Sequence, residues 1–286
     1  MKLQTGRMII FFLAGATLAL SACDAIQAQN AGGGAASGAS SASSKPGRDT
    51  SPTNAENSLE LLPHPADKKE EKAFAAFRAV PAADAAKKVQ AGETFLKSYP
   101  KSAMAQFVYP FLVVGYIQLG QVDKGVAIGQ QDLAAYPQDY RTMAVLSQTL
   151  ARTYNPSAPN AADTLAKAND YGKKAIEGIA TLKKPEGATD ESFTQMKAET
   201  EGMARCGVGL VLLRQDKFAE AIPELEKATT LNPNDQANFY LLGMAQANAN
   251  RYADAAAAFG KCAALPGSLH DICTSSAADA KKNGTH

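Results

Sequence analysis

From residue 65 onward, apolar residues recur every three or four positions and never alternate with polar ones long enough to suggest a strand. Phe74 and Phe77 mark a first amphipathic helix over 66–80. Pro81 is expected to open a second helix, at the position where a missing N–H costs little. That helix carries Val89, Phe95, Leu96 and Tyr99 and stops before Pro100. Tyr109, Leu112, Val113 and Tyr116 share one face of a third helix, and Leu119-Gly120-Gln121 turns the chain. A fourth helix over 122–136 has Gly125 and Gly129 as small contacts and ends at Pro137. A fifth, over 140–153, buries Met143, Leu146 and Leu150. After a loop around Pro156 and Pro159, a long helix over 160–182 presents Leu165, Ala168, Tyr171, Ala175, Ile176 and Ile179. Thr189 can cap the next helix, with Asp190 and Glu191 in its first turn, and that helix runs to Gln215.

Beyond residue 202 the pattern repeats with a 34-residue period: Gly209 answers to Gly243, Phe218 to Tyr252, Ala221 to Ala255 and Leu225 to Phe259. Arg205-x2-Val208-Gly209-x2-Leu212, then Ala221-x3-Leu225, then Pro233 forms one copy over 202–235. Phe239-x2-Leu242-Gly243-x2-Gln246, then Ala255-x3-Phe259, then Pro266 forms the next over 236–269. These residues resemble the tetratricopeptide repeat, with Arg205 and Gln246 standing where that family has aromatic residues. The likeness is moderate over 106–139 and weak over 66–102 and 140–201, where one hairpin has a lengthened second helix. The resemblance implies an all-α fold, an α-solenoid of antiparallel helix pairs spanning 65–286. A terminal helix over 269–282 is expected to close the stack, capped by Ser268, with Leu269, Ile272 and Cys273 facing inward.

The amino-terminal segment has a different character. Lys2 and Arg7 precede the apolar run Met8 to Leu20, which is shorter than the ~20 residues of a spanning helix. Residues 1–22 therefore read as a secretory signal. Leu20-Ser21-Ala22-Cys23 resembles the lipobox of bacterial lipoproteins, which implies a lipid on Cys23 and a membrane anchor. Residues 23–64 are rich in Gly, Ser and Ala and read as a flexible tether. The expected location is exported and membrane-anchored, facing the periplasm, on either the inner or the outer membrane.

Composition narrows the chemistry. A net charge of +1 gives no reason to expect nucleic acid as a partner. Hydrophobic residues reach 45% through alanine, aromatics only 7% with no Trp, which suits closely packed helices. The three histidines, His64, His270 and His286, form no catalytic arrangement with Ser, Cys or paired carboxylates, so neither an enzyme nor a cofactor is expected. Gly32-Gly33-Gly34 lacks the lysine of a phosphate loop. An exported chain favours a Cys262–Cys273 disulfide, and two buried thiols are the equal alternative. A metal set of Cys262, His270 and Cys273 lacks a fourth ligand, and Cys206 reads as a small buried residue.

In the family, the first helix of each pair lines the concave side. By resemblance that side would hold Phe107, Pro110, Val114, Ile117 and Gln118, then Met203, Cys206, Leu210, Leu213 and Arg214, then Tyr240, Met244 and Asn248. Such a face is apolar and lacks the lysines and asparagines of the carboxylate-clamp type. It implies a scaffold binding a protein or peptide of the cell envelope through an apolar helix or extended segment. The other expectation is a carrier of a small apolar ligand or glycan, with residues 160–215 as a lid.

Overall fold

The computed structural model describes residues 65–184 and 188–285. Cys23, the signal of residues 1–22 and the tether of residues 23–64 lie outside the described residues. Eleven α-helices follow one another, and no strand occurs among the described residues: α1 Lys68–Ala79, α2 Ala85–Ser98, α3 Tyr109–Gln118, α4 Val122–Ala135, α5 Tyr140–Arg152, α6 Ala161–Thr181, α7 Asp190–Arg214, α8 Phe218–Leu231, α9 Gln236–Asn248, α10 Tyr252–Ala264 and α11 His270–Asn283. A short 3-10 turn, Ala103–Phe107, leads into α3. Each helix packs on its neighbours in the chain, pair upon pair, which is the all-α solenoid expected from the repeat.

Two kinds of turn make the pairs. Within three of the five pairs, the chain passes through a left-handed residue: Gly120 (φ 72°), Asp216 (φ 58°) or Asn250 (φ 60°). The next N–H then reaches back to a carbonyl of the last helical turn: Gln121 to Tyr116 (2.8 Å), Lys217 to Leu212 (2.9 Å) and Arg251 to Gln246 (2.8 Å). That is the Schellman closure of a helix end. Between pairs, Tyr99-Pro100, Tyr136-Pro137 and Asn232-Pro233 stop the helix, and a capping residue follows: Ser102, Asp139 or Asp235. Asp139 accepts from the Thr142 N–H (2.9 Å) and Asp235 from the Ala237 N–H (2.9 Å), which restarts the chain in a new direction.

Two expected helix starts move. Pro81 opens a turn rather than a helix, because the Asp84 N–H bonds to the Pro81 carbonyl (3.1 Å) and the Asp84 side chain then caps α2 at the Lys87 N–H (3.2 Å). Ser268 does not cap α11. The Leu269 N–H donates instead to the buried Gln236 Oε1 (3.0 Å), whose Nε2 donates to the Cys262 and Leu265 carbonyls (3.1 Å each). One glutamine of α9 thus fastens the α10–α11 corner. Leu269 and Cys273, one turn apart, take the inward face of α11, and this leaves Ile272 at 37% exposure rather than inside.

Small residues let the helices touch. A Cβ on Gly209 would lie 2.6 Å from Leu225, and one on Gly243 2.6 Å from the Phe259 ring. Arg205, standing in an aromatic position of the repeat, holds α7 to α8 by charge instead: it bonds Glu201 on its own helix (2.8 Å) and Glu224 across the pair (2.7 Å). Burial opposes that guanidinium's charge, but the two carboxylates outweigh it and raise its pKa. At the end of the stack, Cys262 of α10 and Cys273 of α11 are joined as a disulfide with a Cα–Cα distance of 5.8 Å. This bond lies among Ala237, Phe239 and Leu269.

The glycines divide by what surrounds them. Gly243→Ala gains helix propensity but pushes a methyl into Phe259, whose ring is only 4% exposed and lies 5.8 Å from that of Tyr240. A net loss of roughly 1–2 kcal/mol is expected. Gly260, with nothing within 4 Å of an added Cβ, should give the opposite sign. Gly260→Ala is expected to gain about 0.5–1 kcal/mol. Urea denaturation of the two variants, read by circular dichroism, checks both signs.

Candidate functional site

The first helices of the pairs are α1, α3, α5, α7 and α9, and the expected binding residues all belong to this side. The structure divides them into an open set and a closed one.

The open set lies at the amino-terminal end. Phe107 is 43% exposed at the end of the 3-10 turn, and Pro110, Val114, Ile117 and Gln118 of α3 are half-buried on the same side. Two aromatic residues that the resemblance does not select join them. Phe74 of α1 lies with its ring 6.3 Å from that of Phe107, and Phe111 meets Phe77 edge-on at 5.8 Å. Phe74 and Phe111 are half-buried against the core formed by Phe77, Val89, Phe95, Met104, Val108, Leu112 and Tyr116. The result is an apolar strip with a firm floor. Their signal in the sequence is helical spacing alone: Phe107, Phe111 and Val114 are four and three residues apart.

Lys88 of α2 fixes one border of this strip. Its ammonium is buried, donates to the Phe77 (2.8 Å) and Val80 (3.0 Å) carbonyls, and stands 4.0 Å from the Phe77 ring centre and 4.7 Å from that of Phe111. It therefore satisfies the end of α1 and holds two rings by cation–π attraction. Burial, and secondarily Arg78, lower its pKa. Deeper in the same layer, Tyr116 donates to the Glu93 carboxylate. Burial and that carboxylate push the phenol up to about 12.

The closed set is a correction. Cys206, Leu210 and Leu213 of α7 are 0%, 4% and 7% exposed and cannot line an open face. The reason lies in the lengthened pair. Gly172 of α6 and Gly207 of α7 both converge on Ser147 of α5, where an added Cβ would come within 2.7 Å and 2.3 Å of its hydroxyl. Three helices therefore meet closely, and Leu210 and Leu213 fall into a core shared with Ala151, Leu165, Ala168, Leu225 and Leu242. Arg214 is engaged as well: its Nε and an Nη donate to the Ala151 (3.2 Å) and Arg152 (3.3 Å) carbonyls and cap α5. Burial lowers its pKa, against a smaller effect of Tyr154. Helices α6 and α7 are thus built into the stack by contact with α5 and with each other. Met203 is half-buried beside Met143 and Ala144.

On α9, Tyr240 and Met244 are half-buried against Ala255, Ala256, Phe259 and Ala280, so α11 occupies part of the space beside them. Asn248 turns back to donate to the Met244 carbonyl (2.9 Å). The sulfurs of Cys262 and Cys273 are bonded to each other, and His270 Nδ1 lies 2.7 Å from the Ala263 carbonyl, so these three residues do not converge on a metal. Among the described residues, no group of three or more His, Cys, Asp or Glu is placed to hold one. No described helix is long and apolar enough to cross a membrane.

A family model and one solved structure agree with this architecture. Residues 204–235 match the tetratricopeptide repeat model. Among solved structures, the chain is similar to TTC0263, a thermophilic TPR protein of Thermus thermophilus, at 17% identity and a TM-score of 0.50, over 79% of this chain and 98% of that one. It is also similar to MamA AMB-1 at 18% identity and a TM-score of 0.44, over 69% of this chain and 96% of that one. A search of curated proteins finds no match.

The division between open and closed residues has a direct consequence. Leu210→Glu buries a carboxylate among aliphatic side chains and should cost several kcal/mol, enough to abolish the cooperative transition. Phe107→Glu, at a site 43% exposed, should lose no more than about 1 kcal/mol. Thermal melts of the two variants test this directly.

Proposed function

We propose that this tetratricopeptide-repeat chain is a non-enzymatic scaffold that docks a protein partner on the aromatic strip of its first two helix pairs, while a lipid on Cys23 tethers it to the bacterial envelope. The observation that carries the docking surface is Phe107. It is 43% exposed, flanked by half-buried Phe74, Phe111 and Val114, and set on a packed floor. Aromatic side chains on a rigid base bury much area at small entropic cost, which is how docking surfaces gain affinity. No charged residue occurs in α3, so the fitting partner segment is apolar, as a helix or an extended strand, rather than an acidic tail.

The anchoring half of the proposal rests on the order of charge, apolar run and lipobox ending at Cys23. Acyl chains add about 0.8 kcal/mol per buried methylene, so a multiply acylated cysteine holds firmly to a bilayer. The periplasmic orientation follows from that export signal, and residues 23–64 supply the reach between membrane and solenoid.

Each half has its own experiment. For docking, wild-type protein and Phe107→Glu are coupled to resin and incubated with detergent-solubilised envelope. A defined partner retained by the wild type should fall at least tenfold with the variant. Equal recovery from both, with the variant still folded by circular dichroism, removes the strip as the docking surface. For anchoring, cells are fed a radiolabelled fatty acid: label should appear in the wild type and vanish in Cys23→Ser, which should leave the membrane fraction. Label that persists in Cys23→Ser refutes the lipid assignment.

A further inference from the structure

The Pro turns between pairs align the repeats, and they single out one residue. Four positions before each turn residue Tyr99, Tyr136 and Asn232 stand Phe95, Asp132 and Ala228. Phe95 and Ala228 are ordinary core residues at 2% and 0% exposure, yet Asp132 is a carboxylic acid at 0% exposure. A buried carboxylate without a cation is costly, so this one requires a donor.

The donors are few. Asp132 Oδ2 accepts from the Thr142 hydroxyl (2.6 Å), while Oδ1 receives no donor. Asp139 caps α5 by accepting from the N–H of the same residue, Thr142 (2.9 Å), so the two side chains meet at Thr142. A carboxyl buried without a cation, with a second acidic side chain beside it, holds its proton more tightly than an exposed one. The other ionisable groups that face Asp132 are phenols, Tyr109 of α3 and Tyr136 of the turn, and both are themselves raised by burial first. Among the described residues no lysine or arginine acts on it, and the adjacent Arg141 is exposed.

We propose that Asp132 keeps its proton in the folded chain and, with Asp139 on the same threonine, forms a pH-sensitive joint between the α3–α4 pair and α5, tight when the proton is present and loosened when Asp132 ionises. The joint bridges the end of α4 and the first turn of α5, between the aromatic strip and the lengthened α5–α7 block. Because a solenoid's curvature is the sum of the rotations between neighbouring pairs, a looser joint alters how the strip is presented.

The direction is set by linkage. Burial, with Asp139 adding to it against the Thr142 bond, pushes the Asp132 carboxyl up to about 7, above the ~3.9 of an unfolded aspartate. The folded chain therefore keeps a proton that the unfolded chain gives up. The joint's contribution to stability is full below pH ~4, declines as pH rises to about 7, and is level above that.

The test uses the full-length protein. Carbon-detected NMR of the Asp132 carboxyl should show a titration midpoint between about pH 6 and 8, well above that of an ordinary aspartate. Amide exchange at Thr142, corrected for its intrinsic rate, should accelerate at least fivefold between pH 5.5 and pH 8. Asp132→Asn, which supplies a permanent donor, should hold that corrected rate level and remove the wild type's fall in melting temperature over the same range. A carboxyl already ionised at pH 5 overturns the proposal, as do parallel melting profiles of wild type and Asp132→Asn. If Asp132→Asn fails to fold, the wild-type titration and exchange still decide. Asp139→Asn, which keeps a capping side chain, should then shift the midpoint downward.

Discussion

The close crossing of helices at residues without bulk is the constraint from which the rest of this molecule follows. Gly115 sits against Val89, Gly129 against Leu146, Gly209 against Leu225 and Gly243 against Phe259, each too near for a methyl group without displacement. Dispersion attraction falls off steeply with distance, so a contact of this kind gains what a looser crossing forfeits. It also explains a hydrophobic core built largely of alanine. Ala144, Ala151, Ala168, Ala175, Ala204, Ala221, Ala228 and Ala255 are all at 0% exposure, each a thin spacer between layers. Such a pair covers little of its own apolar surface, and the stack is the unit of stability.

Thin helices leave their ends close to one another, and polar side chains from neighbouring layers satisfy them. Lys88 closes the end of α1, Arg214 that of α5, and Gln236 that of α10. The last carbonyls of a helix need donors, and a cation or amide from the next layer provides them while tying the layers together. Each of these residues is drawn out of the solvent-facing role its type suggests. Asp132 is drawn in as well, but as an acceptor in a place where its neighbours supply a hydroxyl and a second carboxyl.

Exposed apolar surface is left where this packing stops short. Around α7 the lengthened α6 and α7 lie so tightly on Ser147 of α5 that the first-helix side is filled. Around α9 the terminal α11 takes up part of the room. At the other end α1 and α3 carry Phe74, Phe77 and Phe111, and Phe107, Phe74 and Phe111 keep part of their surface in water. The aromatic residues of a Trp-free chain are concentrated where the stack is least covered.

The sequence by itself determined the helices, their boundaries to within a few residues, the repeat and its turns, because these depend on local periodicity and on Pro, Gly and capping residues. It misplaced the start of α2 because a capping aspartate, Asp84, outcompeted Pro81, and it misassigned Ser268 because the donor's true partner, Gln236, lies 33 residues away. It pointed to one side of the helices as the docking side but could not sort the exposure of that side. Cys206, Leu210 and Leu213 occupy the same repeat positions as Pro110, Val114 and Ile117, and only the approach of α5 and α6 buries the first three. The carboxyl pair was equally hidden: seven residues of chain separate Asp132 from Asp139, and nothing local says that both meet Thr142. Exposure and proton affinity are properties of what surrounds a side chain, and tertiary packing alone decided the surroundings.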